Sequence, residues 1–163
     1  MEMARIAPDR FEKLALLDTG IHLLRDGETA KRADIVQFAF EHGMEALANR
    51  WLPPMVWEGN HGNTDLMSEL RAMVLRMDPD LHTRQIMALV NRPDASVYLS
   101  QVRCPVLLIV GRYDAWSPVS QHEDMLALLP EARLEVVEKE GHFAPIERPG
   151  VVVDLLVPVL RDD

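Results

Sequence analysis

Arg103-Cys104-Pro105-Val106-Leu107-Leu108-Ile109-Val110-Gly111-Arg112-Tyr113-Asp114-Ala115-Trp116-Ser117-Pro118 joins an uninterrupted aliphatic run to a loop carrying a glycine, an acid and a proline. A run of this kind, apolar without alternation, suits a parallel strand covered on both faces. Gly111 lets the chain leave the strand sharply, Asp114 projects from the loop that follows, and Pro118 is placed to begin a helix. Open parallel sheets present their sites at such strand ends.

Downstream, Gln121 to Leu129 reads as a helix, Leu134 to Val137 as another strand and Val151 to Leu160 as a terminal helix, with Pro158 free to stop or kink it. The loop after the strand is Glu140-Gly141-His142-Phe143-Ala144-Pro145. Upstream, Met1 to Ala7 reads as a short helix stopped at Pro8-Asp9, and Lys13 to Leu17 as a buried strand ending at Asp18. The expected class is therefore α/β, with about three parallel strands and flanking helices.

Between these strand-bearing zones the texture is helical. Thr29 to Phe40, Gly43 to Leu52, Thr64 to Met77 and Pro79 to Asn91 carry apolar residues at three- and four-residue spacings. Thr64 is placed to cap the third of these helices. The loop Pro53 to Asn63 separates two helical pairs. The expected organisation is a core from residues 1–26 and 94–163 with a helical insertion over 27–93.

Composition bounds the function. The 163 residues are 48% apolar and 26% charged, which excludes disordered and collagen-like classes. Seventeen Lys and Arg against twenty-six Asp and Glu leave a formal charge of -9, which repels a phosphate backbone, so no nucleic-acid partner is expected. The run Pro105 to Val110 is far short of the roughly 20 residues that span a bilayer, so no membrane partner is expected. Met1 to Arg10 mixes charges where a secretion signal needs an apolar stretch. The single cysteine, Cys104, fits a reducing compartment, and the expected localisation is cytoplasmic.

Asp114 and His142 are the residues that can carry chemistry. Adjacent parallel strands lie about 4.8 Å apart, so an acid and a histidine on neighbouring strand-end loops can meet. The carboxylate would then hold the imidazole in one tautomer while its other nitrogen moves a proton. The bland alternatives are an Asp that turns its own loop or caps the helix near Ser117, and a surface or packed histidine.

These two loops, in this order and followed by Ile146-Glu147-Arg148-Pro149, resemble the catalytic-acid and catalytic-histidine loops of the α/β-hydrolase superfamily. The strand leading to Gly111 resembles the family's strand before the acid. Pro8 to Asp18 resembles the strand after the nucleophile helix, and the helical middle resembles the family's cap. The resemblance implies a partial α/β-hydrolase fold with an inserted helical cap, a small apolar ester-like substrate in the complete enzyme, and Asp114 and His142 as two members of a serine triad.

The resemblance begins after the family's nucleophile elbow. No Gly-x-Ser-x-Gly occurs in the 163 residues, so the isolated chain is expected to be nearly inactive as an esterase. The alternative is a noncatalytic module that self-associates or binds small molecules. A homo-oligomer through the strand edge at Lys13 to Leu17 is expected, because that edge would lack its family neighbour.

Other residues are weighed on the same terms. Trp116 lines the substrate cavity or simply packs. Asp18 faces the site or caps its loop. Trp51 and Trp57, with Met55 and Val56, line the acyl pocket or form cap core. Cys104 reads as an inert core thiol, and Ser117 and Ser120 are poor replacement nucleophiles. His22, His42, His61, His82 and His122 show no ligand spacing, so neither a metal site nor a cofactor is expected.

Overall fold

The structure, a computed structural model, describes residues 1–21, 24 and 26–161. His22 lies outside the described residues. The chain divides into two compact units, Met1–His22 with Met55–Trp57 and Asp94–Asp163, and Leu23–Pro54 with Glu58–Pro93. The elements in chain order are α1 (Glu2–Ile6), β1 (Leu14–Leu17), α2 (Glu28–Trp51), α3 (Thr64–Leu75), α4 (Pro79–Val90), β2 (Val106–Gly111), α5 (Val119–Leu128), β3 (Ala132–Val137), α6 (Ala144–Glu147) and α7 (Pro149–Leu160). Among the described residues, no helix is long and apolar enough to cross a membrane.

The first unit is built on a parallel three-stranded sheet of order β1-β2-β3. Its register runs from Leu14 opposite Val106 to Leu17 opposite Ile109, and from Val106 opposite Ala132 to Gly111 opposite Val137. Successive β2 side chains point to opposite faces, and both faces are covered. Val106 and Leu108 join Leu16, Leu99, Met125 and Leu129 in one apolar cluster, while Leu107 and Ile109 join Val137, Ala144 and Val152 in another. That double cover is why β2 reads as an unbroken aliphatic run. Each such side chain fully buried contributes roughly 1.5–3 kcal/mol of transfer free energy.

The outer strand β3 reads differently. It begins at Ala132 rather than Leu134, because Arg133 and Glu135 share the Val137 face at the sheet's edge and interrupt the apolar run. Arg133 donates from Nη2 to the Leu155 carbonyl of α7 at 3.4 Å. Pro158 lies inside α7 without ending it.

Among the described residues, the second unit holds the α-helices α2, α3 and α4. Gly43 breaks α2 with φ 80° and ψ 168°, a conformation essentially reserved to glycine, so the two helices read from the sequence are the two arms of one kinked element. Its buried side includes Ala39, Met44, Leu47 and Ala48, and α3 contributes Leu66, Leu70 and Val74. Asn63, not Thr64, caps α3: its side chain accepts the Leu66 N–H at 3.2 Å, and Thr64 is the first helical residue. Asp78 caps α4 in the same way at 2.6 Å, with Pro79 at the first helical position. Arg71 of α3 donates to Asn49 Oδ1 at 2.7 Å and to the Glu45 carboxylate, tying α3 to α2.

Candidate active site

The site lies within the first unit, at the C-terminal ends of β1, β2 and β3. Beyond β2 the ladder with β3 continues for two residues, as Arg112 N–H donates to Val137 O at 2.9 Å and Tyr113 N–H to Glu140 O at 2.9 Å. This draws the acid loop and the histidine loop together. The contact is close enough that a Cβ on Gly111 would overlap Gly141 O and Glu140 O. Gly141 is equally confined, since a Cβ there would overlap Met55 O and come within 2.8 Å of Trp57 N.

Asp114 and His142 meet. His142 Nδ1 lies 2.9 Å from Asp114 Oδ2, and Asp114 is buried. The other carboxylate oxygen, Oδ1, accepts the N–H groups of Trp116 at 2.8 Å and Ser117 at 2.9 Å. The loop-turning role and the histidine contact are thus one arrangement: the turn fixes the carboxylate that faces the ring. His142 is anchored by its own N–H, which donates to Met55 O at 2.7 Å.

Electrostatics favour the charged pair. Burial opposes ionisation of Asp114, but hydrogen bonds from His142 and from the N–H of Ser117 outweigh it and hold the carboxyl below its usual range. Burial likewise disfavours a charged His142, yet the bond to Asp114, with the charges of Asp114, Asp18 and Glu147, raises its pKa above the ordinary value. With Asp114 on Nδ1, the nitrogen left to exchange a proton is Nε2.

The aromatic candidates separate. Trp116 has its ring 6.2 Å from the His142 imidazole at 35°, and Phe143 meets the same imidazole nearly edge-on at 5.8 Å. Trp57 stacks on Tyr113 at 6.1 Å. Trp51 belongs to the helical unit, where it meets the His82 ring edge-on at 6.2 Å. Asp18 is buried at the end of β1 and turns its carboxylate to two backbone N–H groups, those of Gly111 and Ala144.

Three residues at the site carry roles that the sequence did not single out. The Glu147 carboxylate accepts N–H groups of Trp57 at 3.0 Å, Gly141 at 3.0 Å and Phe143 at 3.4 Å, stapling both ends of the histidine loop. Glu140 is fully buried, and neither of its carboxyl oxygens has a hydrogen-bond partner. His122, also fully buried, accepts the Thr19 N–H on Nε2 at 3.3 Å and pairs Nδ1 with Pro118 O at 3.3 Å, which links the end of β1 to the start of α5.

No protein-family model matches the chain. Among solved structures, it superposes on a thermophilic esterase from Thermogutta terrifontis with a TM-score of 0.89 and 27% identity, over 98% of this chain and 59% of that one. It superposes on MGS-M2, an α/β-hydrolase enzyme from a Medee basin deep-sea metagenome library, with a TM-score of 0.85 and 16% identity, again over 98% and 59%. The chain has a partial α/β-hydrolase fold. In sequence, the partial α/β-hydrolase fold is 33% identical over 99 residues to the putative carbamate hydrolase RutD of Pseudomonas syringae pv. syringae (strain B728a). That match covers 61% of this chain and 38% of the relative, and the structural matches cover 59% of their chains, so the chain spans less than two thirds of the length of these proteins.

Proposed function

We propose that Asp114 and His142 are the acid and base of an acyl-ester hydrolase site whose serine nucleophile and oxyanion donors come from outside these 163 residues. The observation that carries this reading is the 2.9 Å contact between His142 Nδ1 and the buried Asp114 carboxylate, at the strand ends of a fold related to esterases. His142 Nε2 would take the proton of the serine hydroxyl as that oxygen attacks the ester carbonyl, then return it to the departing alcohol. Asp114 would hold the tautomer and balance the imidazolium. A small, largely apolar ester suits the aromatic surroundings of Trp116, Phe143, Trp57 and Tyr113. Residues 27–54 and 58–93 would form the cap that selects it, with Trp51 as part of that cap, the intervening Met55–Trp57 belonging to the first unit.

The test is turnover of a p-nitrophenyl ester by the purified chain, alone and after mixing with a separately produced segment bearing a Gly-x-Ser-x-Gly strand-to-helix turn. The expected result is no turnover alone and measurable turnover after mixing. Equal rates with and without the added segment would reject the reading.

A second reading is favoured by the sheet order, in which, among the described residues, β1 has a strand neighbour on one side only. Backbone groups on the other side of such a strand can pair with another copy, giving a noncatalytic homo-oligomer. Sedimentation velocity is then expected to show a dimer whose formation is weakened by Ala15→Pro. A monomer throughout the micromolar range rejects it.

A further inference from the structure

Asp18 follows β1 with φ 45°, in the left-handed region where a residue with a side chain is uncommon and Asp is among the better tolerated. Its N–H continues the ladder to Ile109 O at 2.9 Å, so its backbone is fixed by the sheet. Its side chain then reaches in two directions. Oδ1 accepts the Gly111 N–H at 3.1 Å and Oδ2 the Ala144 N–H at 2.9 Å.

Gly111 is the residue from which the acid loop departs, and Ala144 opens α6 just after His142. One buried carboxylate therefore grips the root of the Asp114 loop with one oxygen and the far end of the His142 loop with the other. The segment is held in turn by Thr19, whose N–H donates to the buried His122 of α5. Bonds from N–H groups to an ionised carboxylate are about twice as strong as neutral ones. Among the described residues no ion pair is made by Asp18, so its two N–H partners are what offset the burial of its carboxylate.

We infer that Asp18 is a positioning residue that sets the separation of Asp114 and His142 by clamping their two loops, rather than a residue that contacts substrate. The inference rests on the acid–base reading of that pair. Its carboxylate also adds negative charge near the imidazole and helps keep His142 protonatable. Burial raises the Asp18 pKa to about 6, against the two N–H bonds that favour its charged form.

The experiment is NMR of the labelled full chain with Asp18→Asn and Asp18→Gly. The amide keeps the shape but faces an NH2 toward one backbone N–H, while glycine suits the left-handed backbone and removes both bonds. Expected are at least tenfold faster amide exchange at Gly111 and Ala144, a lower His142 titration midpoint, and loss of the His142 Nδ1 proton signal coupled to Asp114. Loss of the Asp18 charge lowers the His142 midpoint by itself, so the deciding readout is the Nδ1 proton: if exchange quickens while that proton stays as in the parent, Asp18 is structural only and the inference is overturned. If the parent's His142 titrates as it does in Asp114→Asn, the acid–base reading fails instead.

Should neither variant fold, the parent is read by acidification. The Gly111 and Ala144 amide protons are expected to shift together with one midpoint, that of Asp18. Separate midpoints, or midpoints belonging to Glu140, Asp114, Glu147 or His142, which face the same cluster, overturn the clamp.

Discussion

His142→Ala is expected to abolish ester turnover by the chain mixed with a nucleophile-bearing segment, lowering kcat by about 10⁴–10⁶. The magnitude follows from what the imidazole alone supplies. Without Nε2 a serine hydroxyl keeps its proton and attacks as a neutral alcohol, and the departing alkoxide finds no acid. Asp114→Asn is expected to lose on the order of 10⁴, because the amide can present NH2 toward Nδ1 and select the wrong tautomer. The double variant should be no slower than His142→Ala, since the two residues act as one unit.

The pH profile supplies the sign. The working base is neutral imidazole, and Asp114 raises the pKa of His142, so the acid limb of kcat/KM should lie above the ordinary histidine value in the parent. In Asp114→Asn that limb should move to lower pH even as the plateau falls. A His142→Ala loss smaller than tenfold, or an acid limb unmoved by Asp114→Asn, would sink the assignment.

The parts of the fold that were legible in the sequence share a physical cause. β2 announces itself because both faces are covered, whereas β3 hides its first two residues because Arg133 and Glu135 face an edge. Gly43 marked a helix start in the sequence, and in the structure its non-helical backbone separates the two helical arms at that point. Asn63 and Thr64 are both competent caps, and the one-residue choice between them depends on where the chain enters α3, which composition does not encode.

At the site, Asp114 and His142 were legible because each follows a strand and sits near a glycine that lets two backbones close on each other. Asp18 and Glu147 gave no such signal for their contacts. Their partners are backbone N–H groups, 93 and 126 residues away for Asp18 and, for one of Glu147's three, 90 away at Trp57, and a backbone donor has no sequence signature. Glu140 was opaque for a related reason. A glutamate in a polar loop reads as solvated, whereas in the structure Glu140 is fully enclosed near Asp18, Glu147 and Asp114.

That enclosure makes Glu140→Gln the substitution with the largest expected effect on stability. Burial, then repulsion from Asp18 and Glu147, raises the Glu140 pKa to about 8 from 4.5, and neither oxygen has a partner that would favour the anion. A carboxyl whose folded pKa is raised binds its proton more tightly when folded. Its contribution is therefore fully present below the unfolded value near 4.5 and is lost as pH rises through about 8. At about 1.4 kcal/mol for each unit, ionising it inside the fold costs on the order of 3–5 kcal/mol by pH 9. Glutamine has nearly the same shape and no proton to lose. The variant should match the parent in urea denaturation at pH 5 and exceed it by that amount at pH 9, while Asp18, present in both proteins, cancels from the difference. A stability gap that is the same at pH 5 and pH 9 would show that Glu140 is not held as the neutral acid, and that water or a cation reaches its carboxylate.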